Sequence, residues 1–361
     1  MVIDTLLTFL LVLVTLAPLS RNPAWWIRVW DFPRLQLLTI SACLTLLPLF
    51  FIGTHPLQST LLLVIALACC AYQCWWIFPY SCWGKKQVRD ACGYNKKPSL
   101  RILVSNVLTP NRHAEKLLRL ISTERPDILV AVETDLWWEQ QLDVLNEDYP
   151  YSVRCPKDNL YGMHVWSKLP LSDAEIQYLV DKDIPSMHML VMMENGSEVR
   201  LHCIHPMPPS PTENDESKDR DTELVLVGKS VAQAGLPAIV TGDLNDVAWS
   251  RTTRLFLKIS GLLDPRRGRG MFCTFHAGYP MLRWPLDHIF HSQDFVLGSI
   301  RRLESIGSDH FPFLAHLIYD PQTGQSQKSL KKEASDQQQA EEILKQADSL
   351  TSPVPTPGEN G

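Results

Sequence analysis

Hydrophobic and polar positions divide this 361-residue chain into parts with different patterns. Residues 1–80 contain three long stretches that are apolar on every side, whereas residues 99–320 contain short apolar runs separated by polar turns. Residues 81–98 connect them and are interpreted as a linker. Residues 321–361 are rich in Gln, Lys, Glu, Ser and Pro. Because that composition buries little apolar surface, we expect a disordered polar tail there, with a fraying helix at residues 335–347 as the alternative to full disorder.

The first part has the pattern of membrane-spanning helices. Residues 1–19 carry a single charge, Asp4, and residues 37–52 and 58–80 carry none. A bilayer core of about 30 Å is crossed by about 20 apolar residues, so we predict three transmembrane helices. The middle stretch is the shortest, and an arrangement with two spans and an interfacial first helix stays open.

Positive charges lie on one side of these spans. The connection at residues 53–56 has no Lys or Arg, whereas the other side carries Arg21, Arg28, Arg34, Lys85, Lys86, Arg89, Lys96 and Lys97. Cytoplasmic loops are enriched in such residues, so we expect the long carboxyl-terminal part to be cytoplasmic. A disulfide between Cys82 and Cys92 would require an oxidising compartment and argues for the opposite orientation. We give the charge rule more weight.

Residues 99–320 alternate between strand and helix patterns. The runs at 101–104, 128–132, 163–166, 188–192, 199–204 and 238–240 predict strands, and those at 114–123 and 222–233 predict helices. This alternation predicts an α/β sandwich of two sheets flanked by helices. The hydrophobic content of 45% allows a sizeable core, and the net charge of −5 gives no basic footprint for tight duplex binding.

Polar side chains follow several of these apolar runs. Gly242 lets the backbone turn after the run at 238–240, and Asp243 and Asn245 then project from the same side. A carboxylate and an amide so placed can hold a water molecule or a phosphate oxygen; an Asx-rich turn is the alternative reading. Other strand ends carry Asn106 after Ser105, Glu133, His205, Asp287 before His288, and the run Ser308-Asp309-His310-Phe311-Pro312.

These residue types suit the hydrolysis of phosphate esters. Glu133 follows five apolar residues, and a carboxylate there suits Mg²⁺, which prefers hard oxygen ligands. Pro312 prevents a helix from starting at His310, which is a candidate base. Arg267 and Arg269 are candidate substrate-binding residues because guanidinium groups bind phosphate in a bidentate manner. A solvated flexible loop is the alternative for that stretch.

Taken in order, the motifs resemble the endonuclease/exonuclease/phosphatase superfamily of metal-dependent phosphoesterases over residues 99–317. The resemblance implies a DNase I-like four-layer α/β sandwich preceded here by transmembrane helices. It implies that Glu133 is the principal Mg²⁺ ligand beside Asn106, that Asp309 contacts metal or water, and that Mn²⁺ can replace Mg²⁺. It also implies that Asp287 orients His310. The implied catalytic set is His205, Asp243, Asn245, Asp287 and His310.

The sequence therefore predicts a membrane-anchored, Mg²⁺-dependent hydrolase that cleaves a phosphodiester by water attack. Its substrate would be nucleic acid, a nucleotide or a lipid head group, and the sequence points to no protein partner. The spans and residues 162–171 are most similar to bacterial membrane-anchored members, which implies the bacterial inner membrane. A phosphomonoesterase of the same fold is one alternative. A non-catalytic membrane adaptor is another, but none of the expected site residues is lost.

Overall fold

The computed structural model describes residues 2–91, 97–233, 235–347 and 351–358, and the chain forms two compact units. One unit comprises Met1–Lys85, Pro209–Ser217 and Gly268–Gly270. The other comprises Lys86–Pro208, Lys218–Arg267 and Met271–Gly361. Cys92, the proposed disulfide partner of Cys82, lies outside the described residues, and so does Lys96 of the predicted linker.

The first unit contains the apolar helices. They are α1 (Val2–Leu16), α2 (Trp25–Arg28), α3 (Arg34–Leu46) and α4 (Pro56–Ile77). Short 3-10 turns extend three of them into the segments Val2–Ser20, Arg34–Phe51 and Pro56–Tyr80, each long and apolar enough to cross a membrane. This agrees with the three spans predicted from the sequence. Leu11, Leu37 and Ala66 pack between these helices.

Two polar features belong to the same unit. Arg34 is fully buried, donates to Asp31 Oδ1 at 2.6 Å and to Gln73 Oε1 at 3.1 Å, and so has partners for its charge. In addition, the amide of Trp25 donates to Asp215 O at 2.9 Å. The segment Pro209–Ser217, which follows His205 in the chain, is thus hydrogen-bonded to the connection between the first two spans.

The second unit contains two β-sheets. Its strands are β1 (Ser99–Asn106), β2 (Ile128–Val132), β3 (Tyr151–Cys155), β4 (Met163–Ser167), β5 (Leu171–Gln177), β6 (Ser186–Met192), β7 (Glu198–Cys203), β8 (Ala238–Asp243), β9 (Asp287–His291), β10 (Phe295–Arg302) and β11 (Phe313–Tyr319). The six-stranded sheet has the order β10-β11-β1-β2-β4-β3, and the five-stranded sheet the order β5-β6-β7-β8-β9. The pairs β1–β2 and β7–β8 are parallel, and the other pairs are antiparallel.

Helices cover the outer faces of both sheets. They are α5 (Ala114–Glu124), α6 (Leu136–Leu142), α7 (Lys218–Gln233) and α8 (Arg251–Ser260). Two further helices follow in the chain, α9 (Pro321–Gly324) and α10 (Ala334–Lys345), and α10 packs on α7 and α8. Side-chain caps begin several of the described helices; Asp135 accepts from Trp138 N before α6, and Ser250 accepts from Thr253 N before α8.

Three apolar cores separate the layers. Side chains of both sheets, such as Val130 and Ile239, meet in the central core. Leu117 of α5 packs in a second core against the six-stranded sheet, and Leu224 of α7 and Phe256 of α8 pack in a third core against the five-stranded sheet. The fold is therefore helices, sheet, sheet, helices, which confirms the predicted four-layer α/β sandwich.

The carboxyl-terminal segment differs from the predicted disordered tail. Helix α10 buries Ala340 in a cluster with Val225 and Leu255, and Lys258 Nζ lies 2.9 Å from Asp336 Oδ1. Composition alone indicated too few apolar residues to order this segment. The few that it has are buried because α7 and α8 present a complementary apolar surface.

Candidate active site

The polar strand-end residues come together because of the strand pairing. Parallel strands place their carboxyl ends at one edge, so Asn106 at the end of β1 lies beside Glu133, which follows β2. In the other sheet, Asp243 of β8 is the register partner of Asp287 of β9, and His205 follows β7, the parallel neighbour of β8. These two sheet edges form the site.

Tight backbone packing sets the position of Asp243. Gly242 has φ +138°, and a Cβ there would lie 2.0 Å from Ile204 O. Only glycine allows the end of β8 to approach the end of β7 this closely. A similar approach exists near Glu133, where a Cβ on Gly162 would lie 1.8 Å from Thr134 O.

Glu133 and Asn106 form the acidic side of the site. Asn106 Nδ2 donates to Glu133 Oε1 at 2.7 Å and lies 3.1 Å from Asp243 Oδ2. Glu133 has φ +61°, a left-handed conformation uncommon for a glutamate, and its Oε2 is buried with no hydrogen-bond partner. Burial raises the pKa of Glu133 to about 8 despite the Asn106 hydrogen bond. A positive charge at Oε2 would be needed to keep this carboxylate ionised at neutral pH.

His310 lies between two buried carboxylates. Its Nδ1 is 2.8 Å from Asp287 Oδ2, and its Nε2 is 3.4 Å from Asp243 Oδ2. Burial alone would lower the pKa of His310, but Asp287 and Asp243 outweigh it and raise the pKa to about 10. The ring is therefore a cation at neutral pH, and Nδ1 donates to Asp287. Burial raises the pKa of Asp243 by itself, but His310 and His205 hold it below its usual value.

His205 has a different electrostatic environment. Its Nε2 is 3.9 Å from Asp243 Oδ2, its ring lies 5.2 Å from the ring of Tyr161, and its Nδ1 is buried without a hydrogen-bond partner. Burial lowers the pKa of His205 to about 4, although Asp243 opposes the shift. This ring is neutral at neutral pH, unlike that of His310.

Asn245 is held in the turn after β8. It has φ +51°, its amide N donates to Asp243 Oδ1 at 3.0 Å, and its Nδ2 donates to Pro206 O at 3.0 Å. Buried Arg220 supports this turn, since its Nη1 donates to Asn245 O at 2.9 Å and lies 3.6 Å from Asp246 Oδ1. The asparagine thus connects Asp243 with the loop that follows His205.

A second buried arginine supports the other side. Arg266 pairs with Asp264, with Nε 2.9 Å from Oδ1, and also donates to His288 Nδ1 and to Asp287 O. His288 Nε2 then donates to Asp246 O at 2.9 Å. Burial and Arg266 lower the pKa of His288, so its ring is neutral in this network. Arg266 is therefore not available to bind substrate, in contrast to the sequence reading of its arginine-rich stretch.

The remaining predicted residues lie as follows. The structure brings Asn106, Glu133, His205, Asp243, Asn245, Asp287 and His310 together. Asp309 is half-buried beside Ser308, and its carbonyl accepts from Ala277 N at 2.6 Å. Arg267 and Arg269 are half-buried, and Gly268 between them donates to Pro79 O at 2.7 Å, so their predicted substrate role remains a prediction.

Metal-ligating atoms cluster twice at this site. One ligand atom each from Glu133, His205 and Asp243 lie within 4.8 Å of one another, and so do one each from Asp243, Asp287 and His310. The supporting roles of Arg220, Asp246, Asp264, Arg266 and His288 were not predicted from the sequence. Their sequence signal was limited to positions close to the recognised motifs or within the arginine-rich and acidic stretches.

The fold and this edge of polar strand ends define a DNase I-like α/β sandwich. A family model described as the endonuclease/exonuclease/phosphatase family matches residues 103–310, so the chain belongs to that family.

Similar solved structures have the same fold. An endonuclease/exonuclease/phosphatase from Beutenbergia cavernae has 16% identity and a TM-score of 0.51, over 62% of this chain and 72% of that one. D. rerio TDP2 complexed with single-strand DNA product has 17% identity and a TM-score of 0.51, over 61% and 98%. An endonuclease/exonuclease/phosphatase from Bacteroides vulgatus has 16% identity and a TM-score of 0.50, over 62% and 100%. The comparison with curated proteins gives no match.

Proposed function

We propose that this protein is a membrane-anchored, Mg²⁺-dependent phosphoesterase that hydrolyses a phosphodiester by water attack. The observation that carries the proposal is the convergence of three buried or half-buried carboxylates and two histidines where the edges of the two sheets meet. Their pKa values are shifted apart, with one imidazole cationic and the other neutral. Acid–base catalysis at neutral pH requires one group that can donate a proton and another that can accept one, and neighbouring groups with different protonation states meet this requirement.

The donor set fits a hard divalent cation. Glu133 offers a buried carboxylate oxygen without a partner, and the site holds more carboxylates than cationic groups. Glu133, Asn106 and Asp309 would hold Mg²⁺ or Mn²⁺ through oxygen atoms. A bound ion would neutralise negative charge on the phosphoryl oxygens of the substrate.

Asp243 is the carboxylate best placed to accept a proton from water. It is ionised because the His310 imidazolium lies close to it, and its two oxygens are oriented by Asn245 N and Asn106 Nδ2. An ionised, oriented carboxylate can position a water molecule for attack and take up its proton. Asn245 is thus proposed to fix the direction of that carboxylate.

His310 suits the role of a hydrogen-bond donor to the phosphoryl group. Because the imidazolium is held by Asp287, it can stabilise charge that develops on the phosphate during the reaction. This favours electrostatic assistance over the base role considered from the sequence. His205, whose ring is neutral, is proposed to donate a hydrogen bond at the phosphate or the leaving oxygen.

The substrate class follows less directly. D. rerio TDP2, which shares the fold, is described with a single-strand DNA product, whereas this chain carries a net charge of −5 and three helices apolar enough to span a membrane. Nucleic acid, nucleotides and lipid head groups are therefore all retained as candidates. From the Lys and Arg distribution around the spans, we place the hydrolase domain on the cytoplasmic side of a bacterial inner membrane.

The test is hydrolysis by the full chain in detergent. We expect cleavage of bis-p-nitrophenyl phosphate with Mg²⁺, slower cleavage of the monoester p-nitrophenyl phosphate, and loss of both in EDTA. Asp243→Asn should reduce the diester rate about 10²-fold or more. His202→Ala is the matched control, because His202 is equally buried but its Nδ1 faces His188 at 2.7 Å. Equal rates for wild type and Asp243→Asn would refute the proposal.

A further inference from the structure

A short loop next to the site exposes a cluster of apolar side chains. Residues 279–282, Tyr-Pro-Met-Leu, are all exposed, and we call them the apolar tip. The exposed fractions are 60% for Tyr279, 81% for Met281 and 48% for Leu282. Single exposed apolar residues are ordinary on protein surfaces, but four in succession at a loop end indicate a contact surface.

The loop has a defined conformation. At its base, Phe275 and Trp284 pair, and Thr274 N also donates to Trp284 O at 3.0 Å. Nearer the tip, Leu282 N donates to Tyr279 O at 3.0 Å, and the ring of His276 lies 4.5 Å from that of Tyr279. A loop with this many internal contacts presents its apolar side chains in a fixed arrangement, so their exposure is a stable property of the fold.

The base of the loop contacts the residues of the site. Phe275 packs on the ring of His310 with the centroids 4.9 Å apart, and Ala277 N donates to Asp309 O at 2.6 Å. Thr274 Oγ1 also accepts from Asp287 N at 3.2 Å. Whatever the apolar tip binds is therefore held a few residues from the reacting groups.

Several features favour a lipid bilayer as the binding partner. The chain has three helices apolar enough to cross a membrane, so a bilayer is within covalent reach of this unit. Gly270, nine residues before the tip in the chain, belongs to the same compact unit as those helices, whereas the tip itself belongs to the other unit. Arg283 and Arg302 flank the loop base, both over the ring of Phe311, and suit anionic head groups. Tyrosine beside apolar residues is typical of the membrane interface.

We propose that the apolar tip inserts into the bilayer surface and so presents the site to phosphate esters at head-group level. The partner is a lipid surface with some anionic character. This docking goes beyond the proposed activity, and it can be tested without any turnover.

The experiment is photo-labelling of the full chain in nanodiscs. The discs contain phosphatidylcholine, phosphatidylglycerol and a phosphatidylcholine with a diazirine in its acyl chain, and labelled peptides are identified by mass spectrometry. We expect label on residues 279–282 as well as on the helical spans. The double variant Met281→Glu with Leu282→Glu should lose about tenfold or more of the label on the tip, because carboxylates oppose insertion. Label on the spans should not change.

Matched controls exist within the chain. Leu136 and Val144 are comparably exposed apolar residues, at 59% and 65%, and their peptides should stay unlabelled. The double variant should cleave soluble bis-p-nitrophenyl phosphate as wild type does, which shows that it is folded. The proposal is overturned if the tip is labelled no more than residues 136–144, if the double variant is labelled as strongly as wild type, or if the tip cross-links to a second copy instead. Absence of hydrolysis with lipid label present would refute only the proposed activity.

Discussion

His310 and Asp287 should act as one unit in catalysis, whereas His205 should act separately. The geometry is the reason: His310 Nδ1 lies 2.8 Å from Asp287 Oδ2, and both side chains are buried. His205 has no hydrogen bond to either of them, and its Nε2 lies 3.9 Å from Asp243 Oδ2. We therefore expect Asp287→Asn and His310→Ala to be strongly non-additive, and His205→Ala with Asp287→Asn to lie closer to additive.

The loss of rate expected for the double variant differs between a coupled pair and two independent residues. Positioned proton donors or acceptors typically contribute about 10²- to 10⁴-fold. If each single variant loses about 10³-fold, the double variant of a unit should also lose about 10³-fold, whereas independent residues should lose about 10⁶-fold. Asp287→Asn should in addition move the alkaline limb of the pH profile below about 10, because it removes the carboxylate that raises the pKa of His310 most.

The assay is the hydrolysis of bis-p-nitrophenyl phosphate by full-length variants at saturating Mg²⁺ across a range of pH. Thermal unfolding and Mg²⁺ binding are measured in parallel so that misfolded variants are recognised. His202→Ala controls for the loss of a buried imidazole. If the Asp287 and His310 effects multiply in variants that fold and bind metal normally, the pairing is wrong. Asp287 would then serve the packing of β9.

Three further predictions concern the metal, the backbone and the topology. At limiting Mg²⁺, activity should rise with pH through about 8, where Glu133 loses its proton, and more Mg²⁺ should move this limb to lower pH; a limb independent of Mg²⁺ would contradict the assignment. Gly242→Ala should lower the free energy of unfolding by about 3 kcal/mol or more, because the added Cβ would collide with Ile204 O. Gly261→Ala is the control: Gly261 also has a positive φ but open space around it, so the loss should be about 1–2 kcal/mol. Chemical denaturation measures both values. An alkaline phosphatase fused after Tyr319 should be inactive in a bacterial host; strong activity would reverse the proposed orientation.

The positions of the strand-end residues could be predicted from the sequence because their signal is local. Glu133 and Asp243 each follow a short apolar run, and the buried strands β2 and β8 form where those runs lie. A polar residue directly after a short apolar run is a recognisable pattern, and it places that residue at the end of a buried strand. The order of these boundaries along the chain was sufficient to predict the sandwich.

The support residues could not be predicted because their roles depend on distant partners. Arg266 stands in an arginine-rich stretch typical of a solvated loop, yet it is buried, where Asp264 neutralises its charge and His288 Nδ1 accepts a hydrogen bond from it. Arg220 follows a run of acidic residues, but the fold places it under the turn at Asn245. The local sequence shows the charge of such a residue. Only the tertiary structure shows whether a buried carboxylate or carbonyl oxygen is close enough to accept hydrogen bonds from it.

Strand β5 was missed, and helix α10 was expected only as a fraying helix, for a related reason. Strand β5 is largely exposed and polar, and its residues lack the apolar alternation that predicts a strand. Its pairing with β6 supplies the hydrogen bonds that hold it. Helix α10 likewise has few apolar residues, and it is ordered by the surface that α7 and α8 provide.

The dependence of hydrolysis on Mg²⁺ in wild type and Glu133→Gln tests the central claim most directly. The full chain is stripped with EDTA, and the rate on bis-p-nitrophenyl phosphate is followed as Mg²⁺ is added back. We predict no rate without metal, full recovery in wild type, and a curve for Glu133→Gln shifted at least about tenfold to higher Mg²⁺. Undiminished hydrolysis in EDTA, or superimposable curves for the two proteins, would contradict the assignment of this strand-end cluster as a metal-dependent phosphoesterase site.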